Sequence, residues 1–193
     1  MRILLAVPHG AKPIDDECLE ALWRLDRCGH EIVFRVVGGY DCARARNKIA
    51  QEALDLLCDY ALMVDADVVV PPDALSTLLE GGGDVVLGCY RRKDAEGRAE
   101  VFAPASPRYS GQVQWDELPE RRFRVYGGGF GCALVSAAAL RRITRPWFDY
   151  VEHADGSILS EDLYFCEKAE SMGLKVHADG RVRCKHVGRR VYE

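Results

Sequence analysis

Apolar positions fall into two kinds of segment along this chain. Short, nearly continuous apolar runs recur at Arg2–Val7, Glu31–Val37, Tyr60–Val64 and Asp84–Tyr90, and each ends at a loop signal or at acidic residues. Between them lie stretches with helical spacing. Asp15, Asp16 and Glu17 open the first, followed by Leu19, Leu22, Trp23 and Asp26, with Gly29 as its stop. Asp41 begins the second, which runs to about Cys58. Ala45, Ile49, Ala53 and Leu57, with Ala50 and Leu54 alongside, predict its buried face. Pro71-Pro72-Asp73 opens a short third through Leu79. Strand alternates with helix three times, and runs such as Val85-Val86-Leu87 read as buried on both faces. Both features predict a mainly parallel sheet covered by helices.

The pattern changes after Tyr90. Arg91 to Arg108 reads as a long loop with a short strand at Ala99–Ala103. Val113–Trp115 and Arg122–Val125 predict a hairpin. Gly127-Gly128-Gly129-Phe130-Gly131 precedes the apolar run Cys132–Val135, so backbone there must approach something closely, or the strand bends. Ser136 caps a helix over Ala137–Ile143. Tyr150 to Ser160 is polar and turn-rich. Ser160-Glu161-Asp162 starts a helix to about Met172, with Leu163, Cys166 and Ala169 as its buried face. Lys175–Ala178 and Val182–Val187 predict two late strands.

Composition narrows the class. The 193 residues are 48% hydrophobic and 29% charged, which fits a single globular domain over 1–193. A net charge of −4 argues against non-specific nucleic-acid binding. No apolar run approaches the roughly 20 residues of a membrane span, and the Met1–Pro8 run is too quickly broken for a signal peptide. The expectation is a cytoplasmic protein. Its eight cysteines form no Cys-x-x-Cys pair and mostly sit in apolar patterns. Buried thiols are expected rather than disulfides or zinc ligands.

The candidate chemistry gathers at element ends. Asp65-Ala66-Asp67 places two carboxylates at the end of an apolar strand, where acids are depleted and burial is costly. A divalent cation held with substrate phosphates would account for them; capping of the next helix is the alternative. Ligands of such sheets bind beyond the carboxyl ends of the strands. That edge holds Pro8-His9-Gly10, Gly38–Asp41 and Asp65–Asp67. Glu161 and Asp162 open a helix, where acids also serve the dipole. His186 ends the last strand, where a purely structural role is the alternative.

In order and spacing the chain resembles glycosyltransferases of the GT-A fold, in a short family-2-like form, over essentially its whole length. The resemblance rests on Val7-Pro8-His9-Gly10, on Ala43-Arg44-Ala45-Arg46-Asn47, on Met63-Val64-Asp65-Ala66-Asp67-Val68 and on Pro71–Leu75. It continues through Gly127–Gly131 leading into Leu134-Val135, Ser160-Glu161-Asp162-Leu163-Tyr164-Phe165 and His186. It implies an α/β GT-A fold with a small antiparallel acceptor-side portion. Residues 1–90 would form the nucleotide-binding half and 91–193 the acceptor-side half. The implied reaction moves a sugar from a UDP- or GDP-sugar to an acceptor hydroxyl, with inversion expected from Asp162 and retention as the alternative.

The resemblance also implies roles. Asp67 and His186 would ligate Mn²⁺ or Mg²⁺, with Asp65 on the donor ribose or on the metal. Pro8, His9, Gly10 and Asp41 would line the nucleoside pocket, with Ala66 beside them. Arg44, Arg46 or Asn47 would meet the diphosphate or base, and the Gly128-Gly129 backbone would lie against the sugar. Asp162 would be the general base, and Glu161 would orient it or hold a donor-sugar hydroxyl. Trp147, Phe148 and Tyr150 are candidates for stacking on the acceptor, with a core role beside Pro146 as the alternative. The chain is short for this fold, so acceptor-binding elements are expected to be minimal or supplied by a homo-oligomer. A nucleotidyltransferase acting on a sugar phosphate, or a nucleotide-binding protein with a degenerate site, are the competing readings. The nucleotidyltransferase would carry a Gly-rich basic loop after the first strand, where this chain has His9-Gly10-Ala11-Lys12-Pro13.

Overall fold

The computed structural model describes residues 1–10, 13–93 and 97–188, so Ala11 and Lys12 of the first loop lie outside it. The first half of the chain forms β1 (Arg2–His9), α1 (Asp16–Arg24), β2 (Glu31–Gly38), α2 (Cys42–Asp55), β3 (Tyr60–Val64), β4 (Val68–Val69), α3 (Ala74–Leu79) and β5 (Val85–Tyr90). The second half adds β6 (Arg98–Phe102), β7 (Gln112–Gln114), β8 (Arg122–Arg124), β9 (Gly127–Gly128), β10 (Cys132–Ser136) and α4 (Ala137–Arg142). It ends with β11 (Val151–Glu152), β12 (Ile158–Leu159), α5 (Glu161–Ser171) and β13 (Val176–His186). Local chemistry sets the helix starts. Asp15, Asp41 and Ser136 accept hydrogen bonds from the backbone N–H groups of Glu17, Arg44 and Ala139, which satisfies donors that a helix N-terminus leaves orphaned.

The main sheet has the strand order β2-β1-β3-β10-β5-β13-β4, with β8 beside β13. β2, β1, β3, β5 and β13 all run in one direction, and β10 enters between β3 and β5 in the opposite one. Period-two alternation sends each strand's side chains into two cores. Leu4, Ala6, Ala61, Met63 and Leu87 pack under α2, α4 and α5. Ile3, Leu5, Val7, Leu62 and Val64 pack under α1 and α3. A three-stranded antiparallel sheet, β7-β6-β9, and the β11-β12 pair form the smaller portion.

This topology brings the ends of β1, β3, β5 and β13, and the start of β10, to one edge. His9, Gly38, Asp65, Tyr90, Gly131 and His186 therefore share a rim.

Several expectations change. β7 and β8 do not form a hairpin: β7 pairs with β6 and β8 with β13. The two late strands are one, β13, interrupted by an irregularity between Asp179 and Arg183. On α1 the buried residues are Cys18, Ala21 and Leu22, while Leu19 and Trp23 are exposed. Leu57 lies past the end of α2 with φ 54° and is exposed, so it leaves the apolar face assigned to it. Six cysteines are buried, Cys28 and Cys42 are exposed, and all eight are free thiols.

Candidate active site

A buried arginine organises the rim. Arg46 lies one turn into α2, and its side chain is only 3% exposed. Nη2 donates to Asp65 Oδ1 at 2.8 Å and to Oδ2 at 3.1 Å, and Nη1 donates to Glu161 Oε1. One guanidinium thus joins the end of β3 to the start of α5. Burial raises the affinity of Asp65 and of Glu161 for a proton, and Arg46 opposes that rise in both. Burial pulls Arg46 down, yet Asp65 and Glu161 hold it above its ordinary value. A buried charge is tolerated when it is paired, and here one guanidinium is matched to two carboxyl groups. Both terminal nitrogens of Arg46 thus go to carboxylates rather than to the expected diphosphate, while its buried Nε has no hydrogen-bond partner among the described residues.

Asp67 faces outward from the same turn and is half-exposed. Its Oδ1 lies 3.6 Å from His186 Nε2, and its Oδ2 accepts from Lys93 Nζ at 2.5 Å. His186 and Lys93 hold the Asp67 carboxyl well below the usual carboxylate range. The His186 Nδ1 lies 2.8 Å from the Arg91 carbonyl oxygen. A carbonyl only accepts, so Nδ1 carries a hydrogen, and Nε2 is the ring nitrogen turned toward Asp67. Tyr90 packs edge-on against the imidazole, with ring centroids 5.0 Å apart. The Val187 N–H donates to the Asp67 carbonyl at 2.8 Å, which fastens the end of β13 to this turn.

A carboxylate beside an imidazole whose far nitrogen is tied to a carbonyl is a donor set that suits a divalent cation. Among the described residues no group of three or more His, Cys, Asp or Glu is placed to hold a metal ion. Two such donors would suit an ion that takes its remaining ligands from substrate phosphates.

Asp162 follows Glu161 in the first turn of α5. Its Oδ1 accepts from Ser160 Oγ and from the Leu163 N–H. Tyr150 is 46% exposed, and burial together with the nearby Glu161 pushes its phenol above the usual range. At the other end of the rim, the Asp41 carboxylate caps α2 and pairs with Arg44 at 3.5 Å. Arg44 is largely exposed. A Cβ on Gly38 would meet the His9 imidazole at 2.3 Å, so glycine there makes room for that ring.

Three groups of expected ligand contacts turn out to be internal. Asn47 donates to the Ala43 and Phe148 carbonyls and accepts from the N–H groups of Trp147 and Phe148. Its amide is spent on pinning that segment, not on a diphosphate. Trp147 and Phe148 are buried, with Phe148 stacked on Phe165 at 4.6 Å, so neither presents a ring to an acceptor. The glycine run does approach something closely, but that partner is protein. A Cβ on Gly128 would meet the Glu100 carbonyl at 2.6 Å, and one on Gly129 would meet Tyr90 Oη at 1.9 Å. Sequence reasoning missed Lys93 and Tyr90. Lys93 was visible only as part of the basic run Arg91-Arg92-Lys93, with no signal of what it faces.

Comparison with solved structures places this architecture. The chain has the GT-A fold. It superposes on A197 from STIV with a TM-score of 0.68 at 22% identity, covering 98% of this chain and 87% of that one. It matches GalNAc-T7, solved with UDP, GalNAc and Mn²⁺, with a TM-score of 0.67 at 10% identity, covering 97% of this chain and 44% of that one. It matches residues 1–349 of TarS from S. aureus, in complex with UDP-GlcNAc, with a TM-score of 0.57 at 18% identity, covering 98% and 60%. This chain thus spans less than two thirds of the two transferase chains. No protein-family model and no curated protein matches it. No helix among the described residues is long and apolar enough to cross a membrane.

Proposed function

We propose that this GT-A chain is a glycosyltransferase that moves a hexosyl group from a nucleoside-diphosphate sugar to an acceptor hydroxyl. The observation that carries the reading is the pairing of Asp67 with a tautomer-fixed His186 at the sheet edge. Two solved GT-A neighbours hold UDP or UDP-GlcNAc, which supports a nucleotide ligand for that edge.

In this reading Asp67 and His186 Nε2 hold Mn²⁺ or Mg²⁺. The cation, when bound, neutralises charge on the departing diphosphate. The chain's own residues do the rest. Asp65, fixed by Arg46, offers its carboxylate to the donor ribose. Pro8, His9, Gly10 and Asp41, with Ala66, border the nucleoside, and exposed Arg44 reaches the diphosphate. Asp162 takes the proton from the acceptor hydroxyl as that oxygen attacks the anomeric carbon, which inverts its configuration. Glu161, held by Arg46, keeps the first turn of α5 in register with Asp65. Tyr150 is the aromatic that remains available to an acceptor.

Hydrolysis of a panel of UDP- and GDP-sugars tests this, with Mn²⁺ and with EDTA, in the absence of acceptor. At least one donor is expected to be cleaved slowly in Mn²⁺ and not in EDTA, with cleavage lost in Asp67→Asn. Binding of a donor without cleavage would instead support a nucleotide-binding protein with a degenerate site, and no binding of any donor would overturn the reading.

A further inference from the structure

Lys93 is the one cation in direct contact with Asp67 among the described residues, and the fold holds it there. β5 continues past Tyr90 through a bridge between Arg91 and Ala99, and the Arg92 N–H donates to the Arg98 carbonyl at 2.9 Å. That ladder fixes the backbone just before Lys93. A Cβ built on Gly188 would lie 3.8 Å from Lys93 Cδ, so the end of β13 sits beside the lysine stem. Asp67, Lys93 and His186 come from three separate segments, and the Val187–Asp67 backbone bond closes the arrangement. The ammonium lies 2.5 Å from Asp67 Oδ2, while Oδ1 faces His186. One carboxylate is therefore shared between a resident monovalent cation and an imidazole.

We infer that Lys93 is a built-in cation that competes with the divalent ion for Asp67 and turns to the phosphates when displaced, so that divalent ion and nucleoside diphosphate bind best together. The inference rests on the donor-site reading above. A divalent ion held by Asp67 and His186 would share one carboxylate with the ammonium on Oδ2, and two cations on one carboxylate repel. A divalent ion arriving alone therefore pushes the ammonium off the one carboxylate it meets among the described residues. A diphosphate arriving with it supplies a new counter-ion. The flexible lysine stem allows the shift, and an ammonium binds phosphate as a compact point charge. The lysine thus penalises the divalent ion alone and favours the loaded site.

Direct titration of Mn²⁺ into the full chain, followed by calorimetry and by the Mn²⁺ paramagnetic resonance signal, tests the inference without reference to turnover. Lys93→Met should bind Mn²⁺ alone about two- to fivefold more tightly than the parent, the size expected for a half-exposed ion pair. Added UDP should also raise its Mn²⁺ affinity by a smaller factor than it does for the parent. Equal or weaker Mn²⁺ binding in Lys93→Met would overturn the inference, and so would an unchanged effect of UDP on Mn²⁺ affinity. The double variant Lys93→Met with Asp67→Asn separates the two layers. Loss of the gain there places the competition at Asp67. Persistence of the gain removes both the inference and the assignment of Asp67. If Lys93→Met gives no gain while Asp67→Asn still loses UDP–Mn²⁺ binding, the lysine inference fails and the donor-site reading stands.

Discussion

Arg46 Nη2 lies 2.8 Å from Asp65 Oδ1, inside a side chain that is 3% exposed. Glu161 takes the other nitrogen of the same guanidinium. Arg46→Met would leave the buried Glu161 and the partly buried Asp65 without their cation, at a cost of about 3–5 kcal/mol. Urea unfolding monitored by circular dichroism measures it. Arg46→Lys, which keeps the charge but loses the two-pronged geometry, should fall between the parent and Arg46→Met. A loss below about 1 kcal/mol in Arg46→Met would match an ordinary surface pair and remove the bridge from the account.

The glycine run makes a second prediction. A methyl group at position 129 would meet Tyr90 Oη at 1.9 Å and Glu100 Cγ at 2.8 Å. Gly129→Ala should destabilise the fold by about 1–3 kcal/mol, the usual range for overpacking. Adding Tyr90→Phe removes the nearest atom and should recover part of the loss. The same unfolding assay reads both variants. If Tyr90→Phe makes Gly129→Ala worse, the close approach is to something other than the phenol.

A third concerns pH. His177 lies on β13 opposite Arg124 of β8, and its Nδ1 is buried without a hydrogen-bond partner among the described residues. Burial first, then Arg122, Arg124 and Lys175, push its pKa down. The unfolded chain therefore takes up this proton near pH 6.5, before the folded chain does. The sign follows: stability from this site is intact above about pH 6.5 and falls as pH drops toward the folded pKa, by at most about 1.4 kcal/mol per unit. His177→Gln should flatten the stability profile over that window. An unchanged slope between pH 6.5 and 5 would show that other groups carry it.

The residues explain which features could be read ahead of the structure. Asp15, Asp41 and Ser136 act on N–H groups two or three residues away, so the helix starts are written locally. The β1, β3 and β5 runs declare themselves because both faces are covered. Asp65 and Asp67 stand out because acids are out of place at an apolar strand end. What could not be read depends on distant partners. Nothing near Val113 says that β7 pairs with β6 rather than with β8. Trp147 and Phe148 look the same in sequence whether they stack on a ligand or on Phe165. Arg46 and Glu161 are 115 positions apart, and Lys93 reaches Asp67 only because β5 and β13 are neighbours. The pattern therefore marked the rim, but the division of labour on it needed three-dimensional contacts.

The central claim is that Asp67 and His186 hold the cation through which a nucleoside diphosphate binds. Calorimetric titration of UDP in Mn²⁺ into the parent chain and Asp67→Asn tests it most directly. The account predicts measurable binding to the parent, loss or marked weakening in EDTA, and binding at least about tenfold weaker in Asp67→Asn, with its circular dichroism unchanged. Equal UDP affinity for the parent and Asp67→Asn in Mn²⁺ would contradict it.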